Sequence, residues 1–287
     1  MRPIISIIIA NYNYGRFLET AIQSVLSQCD SKLCLSTGDQ IELIVVDGGS
    51  SDNSVDVIRK YACKLAWWCS EKDRGQSHAF NKGFSKANGL FLTWLNADDV
   101  MFCGGLEAVV REIRRHPACQ WFVGSSAWLD ENLCITRCFK AHHFSGLRAR
   151  WGTLSAGGPS SFFTKSLLEQ VGGVNEGFHF CMDTELWNRF YFVTNQRYRR
   201  TQKYVWGFRI HKDSKVSGLD VEPNSQEAYS RRIAQHSEGK KIDRIYNKYR
   251  RVARFIDICT VSPSDMLRAW FETRYYKGKS YDIISSV

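Results

Sequence analysis

The chain has 287 residues, a mass of 33.0 kDa and 44% hydrophobic residues, which is enough for a globular protein of one large domain or of one domain with an appendage. The apolar stretch from Ile4 to Ala10 is too short and too early for a signal peptide or a membrane span, so we expect a cytoplasmic protein. Ten cysteines at irregular spacings are then expected to be free thiols rather than disulfides.

The formal net charge of +10 is concentrated towards the C-terminus. Residues 222–287 carry thirteen Lys and Arg against eight Asp and Glu, a balance of +5. A basic surface can bind nucleic acids, anionic phosphates or lipid headgroups. Because the sequence contains no RNP-like stretch and no zinc-finger spacing, we expect no nucleic-acid partner.

The first third of the chain alternates apolar runs with helical patterns. Strands are predicted over residues 3–10, 41–47, 65–69 and 89–93. The helices that follow them are predicted from apolar residues at three- and four-residue steps, namely Leu18, Ala21, Ile22, Val25 and Leu26, then Val55, Ile58 and Ala62, then Ala79, Phe80, Gly83 and Phe84, and finally Leu106, Val109, Val110 and Ile113. This alternation is typical of βαβ units and predicts a mostly parallel sheet with helices on its faces.

Polar side chains follow each of these predicted strands. They are Asn11, Asp47, Asp73 and the adjacent pair Asp98 and Asp99. The carboxyl ends of parallel strands meet at one edge of a sheet, and open α/β sheets bind ligands at that edge. We therefore expect these side chains to lie in one site.

The pair Asp98 and Asp99 has two interpretations. Adjacent carboxylates repel each other, and a divalent metal bound to phosphate oxygens is the usual partner that neutralises them. Either residue could instead cap the helix that follows. The turn Gly48-Gly49-Ser50-Ser51 also has two interpretations. It could bind phosphate through free N–H groups or form an ordinary capped turn. Its sequence matches neither a dinucleotide fingerprint nor a P-loop.

These segments together resemble the inverting family 2 glycosyltransferases. The resemblance is carried by SIIIANYNYGRFLETAIQSVLSQ, IELIVVDGGSSDNS, SEKDRGQSHAFNKGF and LTWLNADD, and it continues more weakly to about residue 218. It implies the GT-A fold, a Rossmann-like three-layer α/β/α arrangement with a mostly parallel sheet. A GT-A domain is expected over residues 1–221, with a nucleotide-binding half (1–105) and an acceptor-binding half (106–221), followed by a basic helical extension (222–287).

The resemblance implies a donor-binding role for six residues. Asp47 matches the carboxylate that bonds the nucleotide base, and Asp73, with Arg74 beside it, matches a second acid near the base or ribose. Asn96 stands at the first position of the Asp-x-Asp motif, whose contacts are with sugar and ribose. The expected donor-binding set is Asn11, Asp47, Asp73, Arg74, Asn96 and Asp98.

Metal binding and catalysis are assigned by the same resemblance. Asp99 matches the residue that binds Mn²⁺ or Mg²⁺ on the diphosphate, and His211 matches a histidine that completes the metal site or contacts the phosphates. Asp183 matches the catalytic base, which takes the proton from the acceptor hydroxyl. Composition alone would also allow Asp183 to be a first-turn helix acid and His211 a structural loop residue.

The acceptor side is expected at the strand Pro159 to Phe163 and the helix that follows it. Of the tryptophans Trp151, Trp187 and Trp206, no more than one is expected to stack on a sugar, since most tryptophans are core residues.

The C-terminal extension is predicted to be helical. Ile242, Ile245, Tyr249, Val252 and Ile256 recur at helical spacing with lysines and arginines on the remaining faces, and a second helix is predicted around residues 266–276. Such a basic amphipathic helix could pack on the domain or attach to an anionic membrane that presents a lipid-linked acceptor.

The function implied by the resemblance is transfer of a sugar from a nucleotide-diphosphate sugar, with UDP favoured, to a glycan or lipid-linked acceptor in surface polysaccharide biosynthesis. The location would be the cytoplasm or the inner face of the membrane. The alternatives are a noncatalytic nucleotide-sugar-binding scaffold of the same fold and, less favoured, a nucleotidyltransferase, which would be expected to open with a Gly-rich phosphate loop that this chain lacks.

Overall fold

One nine-stranded sheet forms the centre of the computed structural model, which describes residues 2–28, 41–146, 149, 156–215, 226–246 and 263–286. The first third of the chain contains β1 (Ile5–Asn11), α1 (Gly15–Leu26), β2 (Ile41–Asp47), α2 (Ser54–Tyr61), β3 (Trp67–Ser70), α3 (Gln76–Lys86) and β4 (Phe91–Asn96). The predicted order of strands and helices is confirmed. The third and fourth strands begin two residues later than predicted, and the fourth extends to Asn96.

The rest of the sheet is built from shorter and more mixed connections. Its elements are β5 (Val100–Met101), α4 (Gly105–Arg115), β6 (Trp121–Leu129), β7 (Ile135–Phe139), β8 (Ser161–Thr164), α5 (Lys165–Gln170), α6 (Met182–Phe192) and β9 (Arg199–Arg209). Two longer helices follow, α7 (Gln226–Tyr246) and α8 (Pro263–Tyr276).

The strand order is β3-β2-β1-β4-β8-β6-β9-β5, and β7 pairs with β6. Strands β1 to β4 are mutually parallel. Strand β8 is antiparallel to both β4 and β6, so β6 runs in the same direction as β4. Strand β9 is parallel to β6 and therefore also runs in this direction. Only β5, β7 and β8 run the other way among the described strands. The sheet is therefore mostly parallel, as predicted.

Helices cover both faces of the sheet. In β1, Ile7 and Ile9 face one apolar cluster with α1, α2 and α4, whereas Ile8 and Ala10 face a second cluster with α3, α5 and α6. This alternation follows from the two-residue period of a strand that is buried on both sides. The three-layer α/β/α architecture is confirmed.

The predicted inward faces of α1, α3 and α4 are confirmed, but that of α2 is correct only for Ile58. Its buried residues are Ser54, Val57 and Ile58, whereas Val55 is only half-buried. These three positions are spaced at i, i+3 and i+4 and so lie on one face of α2, which is the face that packs on the sheet. Ala62 lies in the 3₁₀ turn that follows the helix.

The predicted apolar face of the first C-terminal helix is only partly correct. Ile242 is buried and joins the second apolar cluster, whereas Ile245 is exposed. Tyr249, Val252 and Ile256 lie outside the described residues. The second predicted helix is confirmed as α8, and none of the helices in the described ranges is long and apolar enough to cross a membrane.

Buried ion pairs attach α8 to the sheet. Glu272 accepts a hydrogen bond from Lys140 Nζ at 2.7 Å, and the Lys140 side chain is only 3% exposed. Asp265 similarly pairs with Arg200 at 2.6 Å. The acidic residues of α8 are thus used against the body of the protein.

We predict that Glu272→Ala lowers the free energy of unfolding by about 3 kcal/mol, because it leaves the buried Lys140 cation with the Gln202 carbonyl and the face of the Tyr204 ring as partners in place of a carboxylate. Arg268→Ala is the matched control, since Arg268 bonds the same carboxylate but is 55% exposed, and we expect it to cost less than about 1 kcal/mol. Urea unfolding measures both values. Equal losses for the two variants would contradict the burial argument.

Candidate active site

A cleft of about 900 Å³ opens at the carboxyl ends of β1, β2 and β4. Its walls come from the loops after β1 to β4, the loop before β8, the start of α6, the segment after β9 and one turn of α7. This volume is large enough for a small-molecule ligand. The cleft lies at the sheet edge where the sequence predicted a site.

The structure brings five of the nine predicted site residues to the surface of this cleft. They are Asn11, Asp73, Asn96, Asp98 and Asp183. The other four, Asp47, Arg74, Asp99 and His211, do not line it. Each of these four is held by contacts within the protein.

Asp47 is a buried organiser of the turn after β2. It has no exposed surface, and its two carboxylate oxygens accept five hydrogen bonds, from Asn11 Nδ2, Ser50 N, Ser50 Oγ, Gly49 N and Ser70 Oγ. Burial raises the pKa of Asp47, but these hydrogen bonds outweigh it and leave the pKa below its usual range. The predicted direct contact with a base therefore disagrees with the structure, in which Asp47 orders the groups that do reach the cleft.

Asp73 is the carboxylate that faces the cleft at this end. Its Oδ1 accepts a hydrogen bond from Gly75 N at 2.8 Å, and its Oδ2 approaches Gly48 so closely that a Cβ there would lie 2.7 Å away. Glycine at position 48 thus makes room for Asp73. Arg74 turns outward, where it is exposed and pairs with Glu176 at 2.8 Å, so its predicted place in the site is not supported.

Asn11 presents an unused acceptor. Its Nδ2 donates to Asp47 at 2.6 Å and to Ser50 Oγ at 3.2 Å, while its Oδ1 has no partner among the described residues. Asn11 is nearly buried and lines the cleft. A buried acceptor without a donor is costly, and a ligand N–H group would satisfy it.

The two adjacent acids at the end of β4 have different roles. Asp99 is fully buried and accepts hydrogen bonds from Asn96 Nδ2 (2.7 Å), Trp206 Nε1 (3.0 Å) and Arg209 N (3.0 Å). Burial and the neighbouring charge of Asp98 raise the pKa of Asp99 well above its usual range, and the three hydrogen bonds offset this only in part. Asp99 therefore joins β4 to β9 and does not face a ligand.

Asp98 is the acid that reaches the cleft. Its Oδ2 lies 3.0 Å from His211 Nε2, and the ring of His211 packs between Phe17 and Tyr14, with ring centroids 4.5 and 5.7 Å away. Of the two acids only Asp98 lines the cleft, so the geometry favours Asp98 over Asp99, and the assignment of the metal to Asp99 stays a prediction. His211 does adjoin the acidic motif, as expected.

These side chains fit a divalent cation only with help from a ligand. Within the described residues, no group of three His, Cys, Asp or Glu side chains could hold a metal by itself. Asp98 and His211 together offer one carboxylate and one imidazole. Mg²⁺ and Mn²⁺ commonly take one or two protein ligands and complete their shell with phosphate oxygens and water, and the pair fits that mode.

Asp183 also lines the cleft, at the second residue of α6. Its Oδ1 accepts a hydrogen bond from Thr184 N at 2.6 Å, and its Oδ2 lies near Gly158, where an added Cβ would be 3.4 Å away. Burial raises the pKa of Asp183, opposed by the hydrogen bonds to Thr184 and by the charge of Lys215. A carboxylate of raised pKa in a cleft is suited to accept a proton.

Sequence reasoning missed Lys215 and Gln76, which also line the cleft. Lys215 Nζ donates to Gln76 Oε1 at 3.2 Å, and Gln76 Nε2 donates to Asn96 Oδ1 at 2.8 Å. Burial lowers the pKa of Lys215 to about 8, although the charges of Glu238 and Asp183 act in the opposite direction. The only available signal was its position four residues after His211, in a segment already expected to contact phosphates.

Among the three tryptophans, Trp206 lines the cleft and Trp187 does not. Trp187 is 1% exposed and lies between Trp94 and Trp121, with ring centroids 5.5 and 5.3 Å away, so it is a core residue. Trp151 lies outside the described residues. Of the two candidate tryptophans that the structure describes, only Trp206 could therefore reach a ligand in the cleft. The expectation of no more than one sugar contact among the three stays a prediction.

The sequence model of Glycosyl transferase family 2 matches residues 6–172, more than half of the chain, and the chain belongs to this family. A Nostoc protein named an uncharacterised glycosyltransferase is 42% identical over 109 residues, which are 37% of this chain and 31% of that protein. A Mycobacterium tuberculosis protein of the same description is 28% identical over 188 residues, 64% of this chain and 67% of that protein. The chain spans less than a third of the length of the Nostoc and Rickettsia relatives that it matches.

Solved structures with this fold include two nucleotide-sugar complexes. S. aureus TarS 1-349 with UDP-GlcNAc aligns over 85% of this chain and 74% of its own, with a TM-score of 0.60 and 16% identity. The mannosyltransferase PcManGT of Pyrobaculum calidifontis, with GDP-Man and Mn²⁺, aligns over 100% of this chain and 86% of its own, with a TM-score of 0.56 and 16% identity. The fold is therefore that of the GT-A glycosyltransferases.

Proposed function

We propose that the protein transfers a sugar, with inversion, from a nucleotide-diphosphate sugar to a hydroxyl of a glycan or lipid-linked acceptor in surface polysaccharide biosynthesis. The observation that carries this proposal is that one cleft is lined by Asn11 and Asp73, by Asp98 beside His211, and by Asp183. Each part corresponds to a different part of the reaction.

The base end of the donor is proposed to lie against Asn11 and Asp73. Both residues line the cleft, and uracil offers an N3–H donor of the kind that the Asp73 carboxylate or the buried, unpartnered Asn11 Oδ1 would accept. UDP-sugars are therefore favoured, and the UDP-GlcNAc complex of TarS is consistent with this choice. GDP is the first competitor, since guanine also offers N–H donors and PcManGT is a GDP-Man complex.

The diphosphate is proposed to lie near Asp98, His211 and Lys215. A divalent metal, Mn²⁺ or Mg²⁺, held by Asp98 and His211 would stabilise the negative charge of the departing diphosphate. Lys215, with its three N–H donors and a position between the charges of Asp183 and Glu238, is suited to bind a phosphate oxygen. These contacts keep the leaving group fixed while the acceptor attacks.

Asp183 is proposed to be the general base. As the acceptor oxygen bonds to the anomeric carbon, its proton moves to the Asp183 carboxylate, and the bond from carbon to the diphosphate oxygen breaks with its electron pair on the diphosphate. Attack from the face opposite the leaving group inverts the configuration. Asp183 lines the same cleft as Asp98, and burial raises its pKa, which supports this assignment.

Asp98→Ala is expected to abolish the metal dependence of nucleotide binding, because it removes the accessible carboxylate. Calorimetric titration of UDP with and without Mn²⁺ should show affinities that differ in the wild type and coincide in the variant. Asp99→Asn is the control, and a folded Asp99→Asn protein should keep the Mn²⁺ effect. The reverse pattern would restore Asp99 as the metal ligand, and a wild type that binds no nucleotide would favour the scaffold alternative.

Asp183→Asn is expected to slow transfer by about 10²- to 10⁴-fold without changing the affinity for UDP. The readout is UDP released from UDP-GlcNAc with water or a glycan acceptor. In the wild type, kcat/KM should fall as the pH drops through the pKa of Asp183, because protonation inactivates a base. Burial raises this pKa, so the acidic limb should lie above the usual range for Asp, and Asp183→Asn should lack it. Near-normal turnover by the variant would place the base elsewhere.

Peripheral attachment to the inner face of an anionic membrane is proposed to occur through α8. Its exposed surface carries Met266, Leu267, Trp270, Phe271 and Tyr275, each more than half exposed. The adjoining cations Arg274 and Lys279 lie over Trp270 and Tyr275, at 5.0 and 3.6 Å from the ring centroids. Because the two acids of this helix are paired with buried cations, its outer face is apolar and positive, which suits anionic lipid.

The double variant Trp270→Ser/Phe271→Ser is expected to lose at least about tenfold in binding to vesicles of phosphatidylglycerol and phosphatidylcholine. Co-sedimentation measures the bound fraction, and vesicles of pure phosphatidylcholine should bind the wild type weakly. Ile233→Ser, at an exposed site on α7, is the matched control and should bind as the wild type does. Wild-type binding that is unaffected by the double variant, or self-association through this face without vesicle binding, would contradict the proposal.

A further inference from the structure

Three consecutive backbone N–H groups before α6 converge on one distant carboxylate. Glu238 Oε1 accepts from His179 N at 2.7 Å, and Glu238 Oε2 accepts from Phe180 N at 2.7 Å and from Cys181 N at 2.9 Å. Glu238 lies in α7, 57 to 59 residues further along the chain. This segment leads directly to Asp183, the second residue of α6.

The start of α6 has no cap of its own. Cys181 occupies the N-cap position and makes no side-chain capping hydrogen bond. Free N–H groups at a helix start need an acceptor, and the positive end of the helix dipole favours an anion there. Glu238 accepts hydrogen bonds from the N-cap residue Cys181 and from the two residues before it, and it places a negative charge at this end of the helix, so the entry to α6 depends on α7.

Further contacts hold α7 against this segment. Ile242 is 2% exposed and lies in the same apolar cluster as Phe178 and Met182. Lys241 Nζ lies 4.8 Å from the centroid of the Phe178 ring. One turn before Glu238, Gln235 forms part of the wall of the cleft. The helix therefore covers the segment, and its own surface reaches the site.

We propose that Glu238 is a positioning residue for Asp183, and that α7 is thereby a structural part of the active site rather than an appendage to it. The inference rests on the proposed role of Asp183 as the base. Glu238 contacts no proposed substrate atom; it fixes the backbone at residues 179–181, which sets where the Asp183 carboxylate points. A general base needs placement within hydrogen-bond distance of the acceptor hydroxyl, and a displacement of about 1 Å can cost on the order of 10²-fold.

Glu238→Gln is the sharpest variant, because it keeps the size and removes one acceptor oxygen. An amide has one oxygen and an NH₂ group, and the NH₂ group would meet at least one of the three N–H donors without bonding to it. We expect kcat for UDP release from UDP-GlcNAc to fall by about 10- to 100-fold, with the dissociation constant of UDP unchanged. Hydrogen exchange measured by mass spectrometry should show faster exchange in the peptide containing residues 179–181.

Lys240→Gln is the matched control, since it changes one charge at an exposed position of the same helix and should leave both readouts at wild-type values. Glu238→Asp keeps both oxygens on a shorter side chain and should give an intermediate loss, which preserves the test if Glu238→Gln does not fold. Wild-type kcat and wild-type exchange in folded Glu238→Gln would overturn the proposal, as would equal losses of UDP affinity and turnover.

The turnover of the two variants separates this inference from the role of Asp183. If Asp183→Asn keeps near-normal turnover, the base assignment fails whatever Glu238 does. If Asp183→Asn is inactive while Glu238→Gln has normal kcat, the base stands and the positioning role is overturned.

Discussion

The parallel pairing of β1, β2 and β4 is the constraint on which the site depends. In the observed register Asn11 lies opposite Asp47, Asp47 lies opposite Ser70, and Ala10 lies opposite Asn96, so the strands end at nearly the same level. Side chains that are far apart in the sequence therefore meet at one edge. A shift of one residue in any pairing would turn these side chains to the opposite face of the sheet.

Buried carboxylates organise this edge, and exposed ones are left for the ligand. Both oxygens of Asp47 accept hydrogen bonds from the turn after β2 and from Asn11, which is thereby held in place. The oxygens of Asp99 accept hydrogen bonds from Asn96, Trp206 and the backbone of β9. Asp73 and Asp98 then present their carboxylates to the cleft. Because a buried charge is tolerated only when hydrogen bonds surround it, the fully bonded acids fix the walls, and the acids that line the cleft are the ones proposed to contact the ligand.

Much of the fold could be predicted from the sequence, because the apolar periodicity of α1, α3 and α4 and the apolar runs of β1 and β2 are local signals. The family resemblance also identified the segments that form the cleft. It assigned the metal to Asp99, whereas of the two neighbours only Asp98 lines the cleft, because Asp99 is bonded to Trp206 and Arg209 from β9. Three other contacts also join distant parts of the chain, and no local sequence pattern predicts them. They are the pairing of Arg74 with Glu176, the burial of Lys215 beside Gln76, and the hydrogen bonds that Glu238 accepts at the start of α6.

The central claim is that one cleft holds the base end of a donor at Asn11 and Asp73, the diphosphate at Asp98 and the reacting carbon towards Asp183. The most direct test is a crystal structure of the protein soaked with Mn²⁺ and a UDP-sugar, with anomalous scattering recorded to locate the manganese. The account predicts a manganese peak within about 2.2 Å of an Asp98 oxygen, bridged to the diphosphate, with the anomeric carbon on the side of Asp183. Manganese bound to Asp99, or a nucleotide bound away from the ends of β1, β2 and β4, would contradict it.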